Sequence, residues 1–158
     1  MDTTRFLDFI KSQRWAVEAT VTEDGTPQAA LIGIAVTDRL EVVFDTVAST
    51  RKLANLRTNP RIALVIGGWS DGDPRTLQYD GVADFPSGAE LERVRAAYFA
   101  AFPDGPTRLA WPGITYVRVT PTWLRLSDYT VTPPSFLEIT LPLQSESSRQ
   151  TPQRQDTT

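Results

Sequence analysis

The apolar positions of this chain fall into short alternating runs, interrupted in three places by helical spacing. Phe6, Leu7 and Ile10 share one side of residues 4–13, the spacing of a short amphipathic helix. Strict alternation follows, with Trp15, Val17, Ala19 and Val21 in one row and Ala16, Glu18, Thr20 and Thr22 in the other. That predicts a half-buried strand whose apolar row, Trp15 included, faces the core. Glu23-Asp24-Gly25-Thr26 predicts a hairpin turn in which Gly25 takes a positive φ. Residues 29–36 are apolar in both rows apart from Gly33, which predicts a central strand. A turn at Thr37-Asp38-Arg39 leads to a third strand over 40–45.

Helical spacing returns over 49–58, with Leu53 and Leu56 inward and Pro60 closing the segment. Strands are predicted over 61–66 and 76–85, on either side of a turn-rich stretch from Gly67 to Pro74. The longest helix is predicted over 87–101, burying Leu91, Val94 and Tyr98, and Pro103-Asp104-Gly105-Pro106 stops it. Two more strands, 114–120 and 123–128, are separated by Pro121, and 136–141 reads as an extended arm. Six or seven strands with about three peripheral helices, most links too short for a βαβ crossover, make an α+β, mainly β chain. The pattern fits an antiparallel barrel or sandwich. It argues against a Rossmann fold, and no G-x-G-x-x-G occurs. Residues 144–158 carry no apolar side chain, so they are expected to form a disordered polar tail behind a single domain over 1–143.

Composition narrows the chemistry. There is no Cys and no His, and the one Met is residue 1, which excludes disulfides, Cys/His zinc sites, His-ligated haem and Ser-His-Asp triads. Any acid–base work must fall to Asp, Glu, Lys, Tyr or a cofactor. A net charge of −3 argues against a nucleic-acid surface. No apolar run reaches membrane-spanning length and no signal-peptide pattern opens the chain, so the expected location is cytoplasmic. Among the cations only Lys11 and Lys52 are not Arg.

The second and third predicted helices begin with opposite charge. Ser87-Gly88-Ala89-Glu90 has the form of a capping box, with its acid where the helix dipole favours one. Ser49-Thr50-Arg51-Lys52 places two cations in that position. Each misplaced cation costs about 0.3–1 kcal/mol at an exposed helix start. A bound phosphate would reverse the sign, gaining from free N–H groups, the Ser49 and Thr50 hydroxyls, the Arg51 fork and the Lys52 ammonium. Two readings stay open at this point: a phosphate site, or solvated cations and a tolerated penalty.

The surrounding sequence reads V-V-F-D-T-V-A-S-T-R-K-L-A-N-L-R-T-N-P-R-I-A-L-V-I over residues 42–66. A strand ending in Phe-Asp-Thr, a basic helix, and Asn-Leu-x-x-Asn-Pro-Arg before an apolar strand resemble the flavin-binding split barrels of the pyridoxamine 5′-phosphate oxidase-like superfamily. The likeness extends over about Phe6 to Asp128, through the Asp-Gly hairpin, Gln-Tyr-Asp-Gly-Val-Ala and Pro-Thr-Trp-Leu-Arg-Leu. It implies an antiparallel split β-barrel, a homodimer, and FMN at the subunit interface. Carried over by position, Arg51 and Lys52 pair the flavin phosphate and Ser49 and Thr50 add donors. Thr46 stands within reach of the phosphate or ribityl chain. The backbone at Phe44 and Asp45 faces the ring, and Gln78 reaches the ring or ribityl chain. The family's founding enzymes end in an Arg- and His-containing signature that holds pyridoxal phosphate. Here that end reads Trp123-Leu124-Arg125-Leu126-Ser127-Asp128-Tyr129 with no His, so vitamin B6 oxidation is not expected. Relatives that bind haem iron through His are disfavoured for the same reason.

Other residues have a plainer reading beside the functional one. Trp69, Trp111 and Trp123 could stack on a flavin, but packing explains large aromatics more often. Trp111 stands out because its loop, Leu109-Ala110-Trp111-Pro112-Gly113, suits a pocket rim or dimer contact. Asp71, Asp73 and Asp80 look like a carboxylate cluster, yet Ser70-Asp71-Gly72-Asp73-Pro74 is turn chemistry without a calcium loop's closing Glu. No metal is expected. Tyr79 and Tyr98 fit the packing faces of their elements. The expected function is an FMN-dependent oxidoreductase. The alternatives are an F420-dependent reductase, whose acidic tail would need Arg5, Arg14 or Arg57 along the groove, and a non-enzymatic flavin-binding or storage protein.

Overall fold

Thr4–Lys11 forms helix α1 and packs Phe6, Phe9 and Ile10 into the core; a computed structural model describes residues 3–143. Residues 144–158, where the composition predicts a disordered tail, lie outside the described residues. Strands follow as β1 (Trp15–Val21), β2 (Pro27–Gly33), β3 (Ala35–Val36) and β4 (Val42–Val47), then helix α2 (Arg51–Thr58). After α2 come β5 (Arg61–Gly67), β6 (Thr76–Asp84), helix α3 (Gly88–Ala101) and a 3-10 turn at Gly105–Ala110. β7 (Ile114–Asp128) and β8 (Ser135–Thr140) complete the order. Every strand pairing is antiparallel.

The sheet runs β2-β1-β5-β6-β7-β4-β3, with β8 added on β7. Its two ends, β2 and β3, are separated in sequence by Ile34 alone, so the sheet must curl until its ends meet. The ends are not paired to each other, which makes a split barrel. Ile32, Ile34, Phe44, Leu64, Ile66, Leu77 and Leu124 fill its interior, and α1 and α2 close it with Phe6, Ile10, Leu53 and Leu56.

Three expectations about strands need correction. Residues 29–36 form no single central strand; the run breaks at Ile34 and its halves lie at opposite ends of the sheet. Both rows are apolar because the inner one fills the barrel while the outer one, Ala29 and Leu31, stands uncovered. β1 is inverted relative to its alternation: Ala16, Glu18 and Thr20 are buried, and Trp15 is 46% exposed. Pro121 does not divide the last strand. β7 is continuous over 15 residues, and the register with β6 shifts between Asp80 and Gly81, leaving Thr122 as the extra residue of a bulge. A bulge tolerates a residue without an N–H. Gly81 fits there because a Cβ would meet the Thr120 carbonyl oxygen at 2.7 Å.

α3 covers the outer face of β3, β4 and β7, where Val94, Tyr98 and Phe102 pack on Ala35, Val43 and Tyr116. An ion network fixes its first half. Arg93 holds the Glu41 carboxylate at 2.8 and 3.0 Å, and Arg118 pairs with Asp84 and Glu90. Glu90 is taken up in this network, and Ser87 makes no side-chain cap, so the predicted capping box does not form. Burial raises the Glu41 carboxyl. Hydrogen bonds from Arg93 and Thr37, with the Arg93 and Arg118 charges, outweigh it and hold the group below 4.5, its ordinary value. Hydrogen bonds from Arg93 and Arg118 lower Glu90 to about 2.

Both carboxyls have lower pKa values folded than unfolded. Their contribution to stability is therefore present above 4.5 and is lost as pH falls from there toward 2. The melting temperature is expected to drop over that window. In Glu41→Gln it should start lower at neutral pH and fall less steeply below 4.5. Thermal denaturation against pH checks this, and parallel acid limbs in the two proteins would contradict it.

Candidate functional site

Among the described residues, the opposite half of the barrel has no helix on its outer face. α2 instead lies against the inner rows of β1 and β2, where Asn55 donates to Thr20 Oγ1 at 3.1 Å and to Gln28 Oε1 at 2.9 Å. This seats the start of α2 over a cleft of about 540 Å³, lined by Glu18 and Thr20 from β1, Gln28, Ala29 and Ala30 from β2, and Ser49, Thr50, Arg51 and Lys52. All four residues of the wrong-signed helix start therefore share one wall. The first turn holds no acid, and neither Arg51 nor Lys52 forms an ion pair among the described residues.

Local structure leaves donors free. Thr50 stands at the N-cap with extended backbone, but its side chain caps nothing; its hydroxyl meets that of Thr46 at 3.0 Å. The first N–H groups of a helix have no partner inside it. The loop is held from behind, since Ala48 donates its N–H to the Gly113 carbonyl at 2.8 Å. Gly113 takes φ 74°, and a Cβ there would meet the Ala48 side chain at 3.1 Å. The Trp111 loop thus positions the cleft without lining it.

The remaining sequence candidates are spread out. Thr46 supports Thr50 from β4 and does not line the cleft. The Phe44 side chain is fully buried in the barrel core. The Asp45 carboxylate is turned away, accepting from Arg108 Nε at 2.8 Å and from the Tyr98 hydroxyl at 2.8 Å. Burial and the Asp45 carboxylate together push the Tyr98 hydroxyl well above its ordinary value. Gln78 stands on the outer sheet face between Val65 and Arg125, and Trp111 is exposed at the end of the 3-10 turn. Backbone at Phe44 and Asp45 keeps an open side, because β3 pairs only with Val42 and Val43.

Glu18, Thr20, Gln28 and Asn55 were not singled out by sequence. Asn55 belongs to the Asn-Leu-x-x-Asn-Pro-Arg run, and Glu18 is the one charge inside β1; those were the available signals. Glu18 is only 2% exposed, and its Oε2 has no hydrogen-bond partner among the described residues. Burial raises its carboxyl above the ordinary value and the Lys52 charge draws it part of the way back.

The model of the pyridoxamine 5′-phosphate oxidase family matches residues 3–128, which includes both walls of this cleft. The chain belongs to that family. No curated protein matches it. Among solved structures it is similar to a heme binding protein from Mycobacterium smegmatis, with a TM-score of 0.74 at 20% identity over 89% of this chain and 58% of that one. This family member thus spans less than two thirds of that protein's length. It is also similar to the conserved hypothetical protein Rv2991 from Mycobacterium tuberculosis, with a TM-score of 0.67 at 26% identity over 81% and 85% of the two chains. HutZ, the heme storage protein from Vibrio cholerae, gives a TM-score of 0.65 at 16% identity over 77% and 91%. Likeness at this level to the two heme proteins shares the family's fold. No helix among the described residues is long and apolar enough to cross a membrane.

Proposed function

We propose that this protein binds FMN with the phosphate on the wall formed by Ser49, Thr50, Arg51 and Lys52, and that it works as a cytoplasmic, homodimeric flavin-dependent oxidoreductase. The observation that carries the reading is the convergence of two cations with no ion pair among the described residues, the Ser49 hydroxyl and uncapped helix N–H groups on one side of a cleft. That donor set suits a phosphate dianion: a guanidinium fork, an ammonium and backbone N–H groups in one place. Bound flavin supplies the hydride and electron chemistry. The protein's own residues hold the phosphate, keep the helix start seated through Asn55, and offer backbone along the open side of β4.

A second copy of the chain fits the bare sheet face. Leu31, Val17 and Val65 are cross-strand neighbours on β2, β1 and β5, and Leu31 and Val65 are 63% and 43% exposed. An apolar row of this kind on adjacent strands is what an isologous interface covers.

The F420 alternative draws less support, because Arg5, Arg14 and Arg57 do not line the cleft. Arg14 lies over the Phe102 ring and Arg57 over Phe85. Haem, bound by two of the structural neighbours, would need an axial ligand other than His here.

A visible absorption spectrum of the purified protein, taken before and after titration with FMN, tests the reading. Oxidised-flavin bands that travel with the protein through gel filtration are the expected result. A colourless protein that takes up no FMN would overturn it. NAD(P)H oxidation with an added acceptor separates an enzyme from a flavin-storing protein.

A further inference from the structure

The cleft contains a second polar feature that a phosphate alone leaves unexplained. Glu18 faces it from β1 with its side chain almost fully buried and Oε2 unpartnered among the described residues. Two cations line the same cleft, yet neither forms an ion pair with Glu18. Leaving a buried acceptor without a donor is costly, and such groups are rare in folded proteins. Its neighbours do not relieve it: Thr20 and Gln28 are already joined through Asn55, and Ala30 stands opposite Glu18 on β2. An anion at Arg51 and Lys52 satisfies the cations and repels Glu18. The arrangement is completed by a ligand that carries an anion at one point and a hydrogen-bond donor at another. A neutral donor suits the site better than an ammonium, because Arg51 and Lys52 would repel a third cation.

We propose that Glu18 accepts hydrogen bonds from the hydroxyls of a polyol chain whose phosphate sits at residues 49–52, so that the cleft selects a phosphorylated polyol over a phosphate on an unhydroxylated chain. The inference rests on the flavin reading, in which the chain is the ribityl group of FMN. It assigns Glu18 a binding role at a position where the free protein is the less stable for it.

The test compares FMN with a flavin analogue bearing a phosphopentyl chain, which keeps ring and phosphate but has no chain hydroxyls. Affinities are read from flavin fluorescence in the wild type, Glu18→Leu and Glu18→Gln. The wild type is expected to bind FMN about tenfold or more tighter than the analogue. Glu18→Leu should erase that preference by losing FMN affinity while keeping the analogue, and Glu18→Gln should retain part of it. The flavin-free Glu18→Leu protein should also melt at a higher temperature than the wild type, since an unpaired buried carboxyl has been replaced by an apolar side chain. Loss of FMN preference together with gain of stability is the signature of a ligand-binding group; a structural residue would lower the melting temperature. FMN binding with the same preference in wild type, Glu18→Leu and Glu18→Gln would overturn the Glu18 assignment alone. If the wild type takes up neither flavin, the cofactor reading falls and the Glu18 assignment falls with it.

Discussion

Replacing Arg51 and Lys52 together by Ala is expected to weaken FMN binding by at least about 100-fold, since each removes a charge-assisted hydrogen bond to the phosphate. Riboflavin, which has no phosphate, should bind both proteins equally. FMN affinity of the wild type should fall with added salt, and that of the double variant should be nearly indifferent to it. The flavin-free variant should melt no lower than the wild type, because the two cations oppose the dipole at the start of α2 and bind no acid there. Arg57→Ala provides the control. It removes one cation from the last turn of the same helix, on the Phe85 side, and should leave FMN affinity unchanged. Fluorescence titration of each protein with FMN and riboflavin measures all of this. Unchanged FMN affinity in the double variant would mean that the phosphate lies elsewhere.

Leu31→Asp is expected to convert the proposed dimer to a monomer. Leu31 stands at the exposed end of the apolar row and contributes nothing to the barrel core, so the chain should still fold. In an isologous interface the substitution enters twice and places an unpaired carboxylate against apolar surface each time. Dimer dissociation should be favoured by about 100-fold or more. Gel filtration with light scattering should give the mass of one 17.5 kDa chain for the variant and two for the wild type. FMN affinity should fall with it if the flavin lies between copies. A wild-type protein that is monomeric at micromolar concentration and still binds FMN tightly would sink the interface, whatever the variant does.

The elements were legible where one face of each meets the core of the same chain. α2 with Leu53 and Leu56 inward, α3 with Val94 and Tyr98 inward, and the Gly25 hairpin all stand as their spacing predicts. The reading of β1 failed because alternation reveals that two rows differ and not which of them faces inward. Trp15, Val17 and Ala19 form the more apolar row, yet the barrel takes Ala16, Glu18 and Thr20. The same ambiguity misplaced residues 29–36. In the cleft, the basic start of α2 was visible because it breaks a local rule about helix ends. Glu18 and Gln28 were hidden, since what brings them to that helix is a pairing between strands and a contact from Asn55, neither of which leaves a mark in local sequence.

The order of the strands also bears on how the chain is made. β4, which leads into the basic turn, runs along the first half of β7, from Val42 against Val119 to Val47 against Ile114. A ribosome adds about 5–20 residues each second, so these two segments emerge several seconds apart. Every cation of the cleft is therefore synthesised well before β7, the strand on which β4 pairs. Until Ile114 and the residues after it leave the exit tunnel, the nascent chain carries the cleft's cations while β4 still lacks its pairing partner.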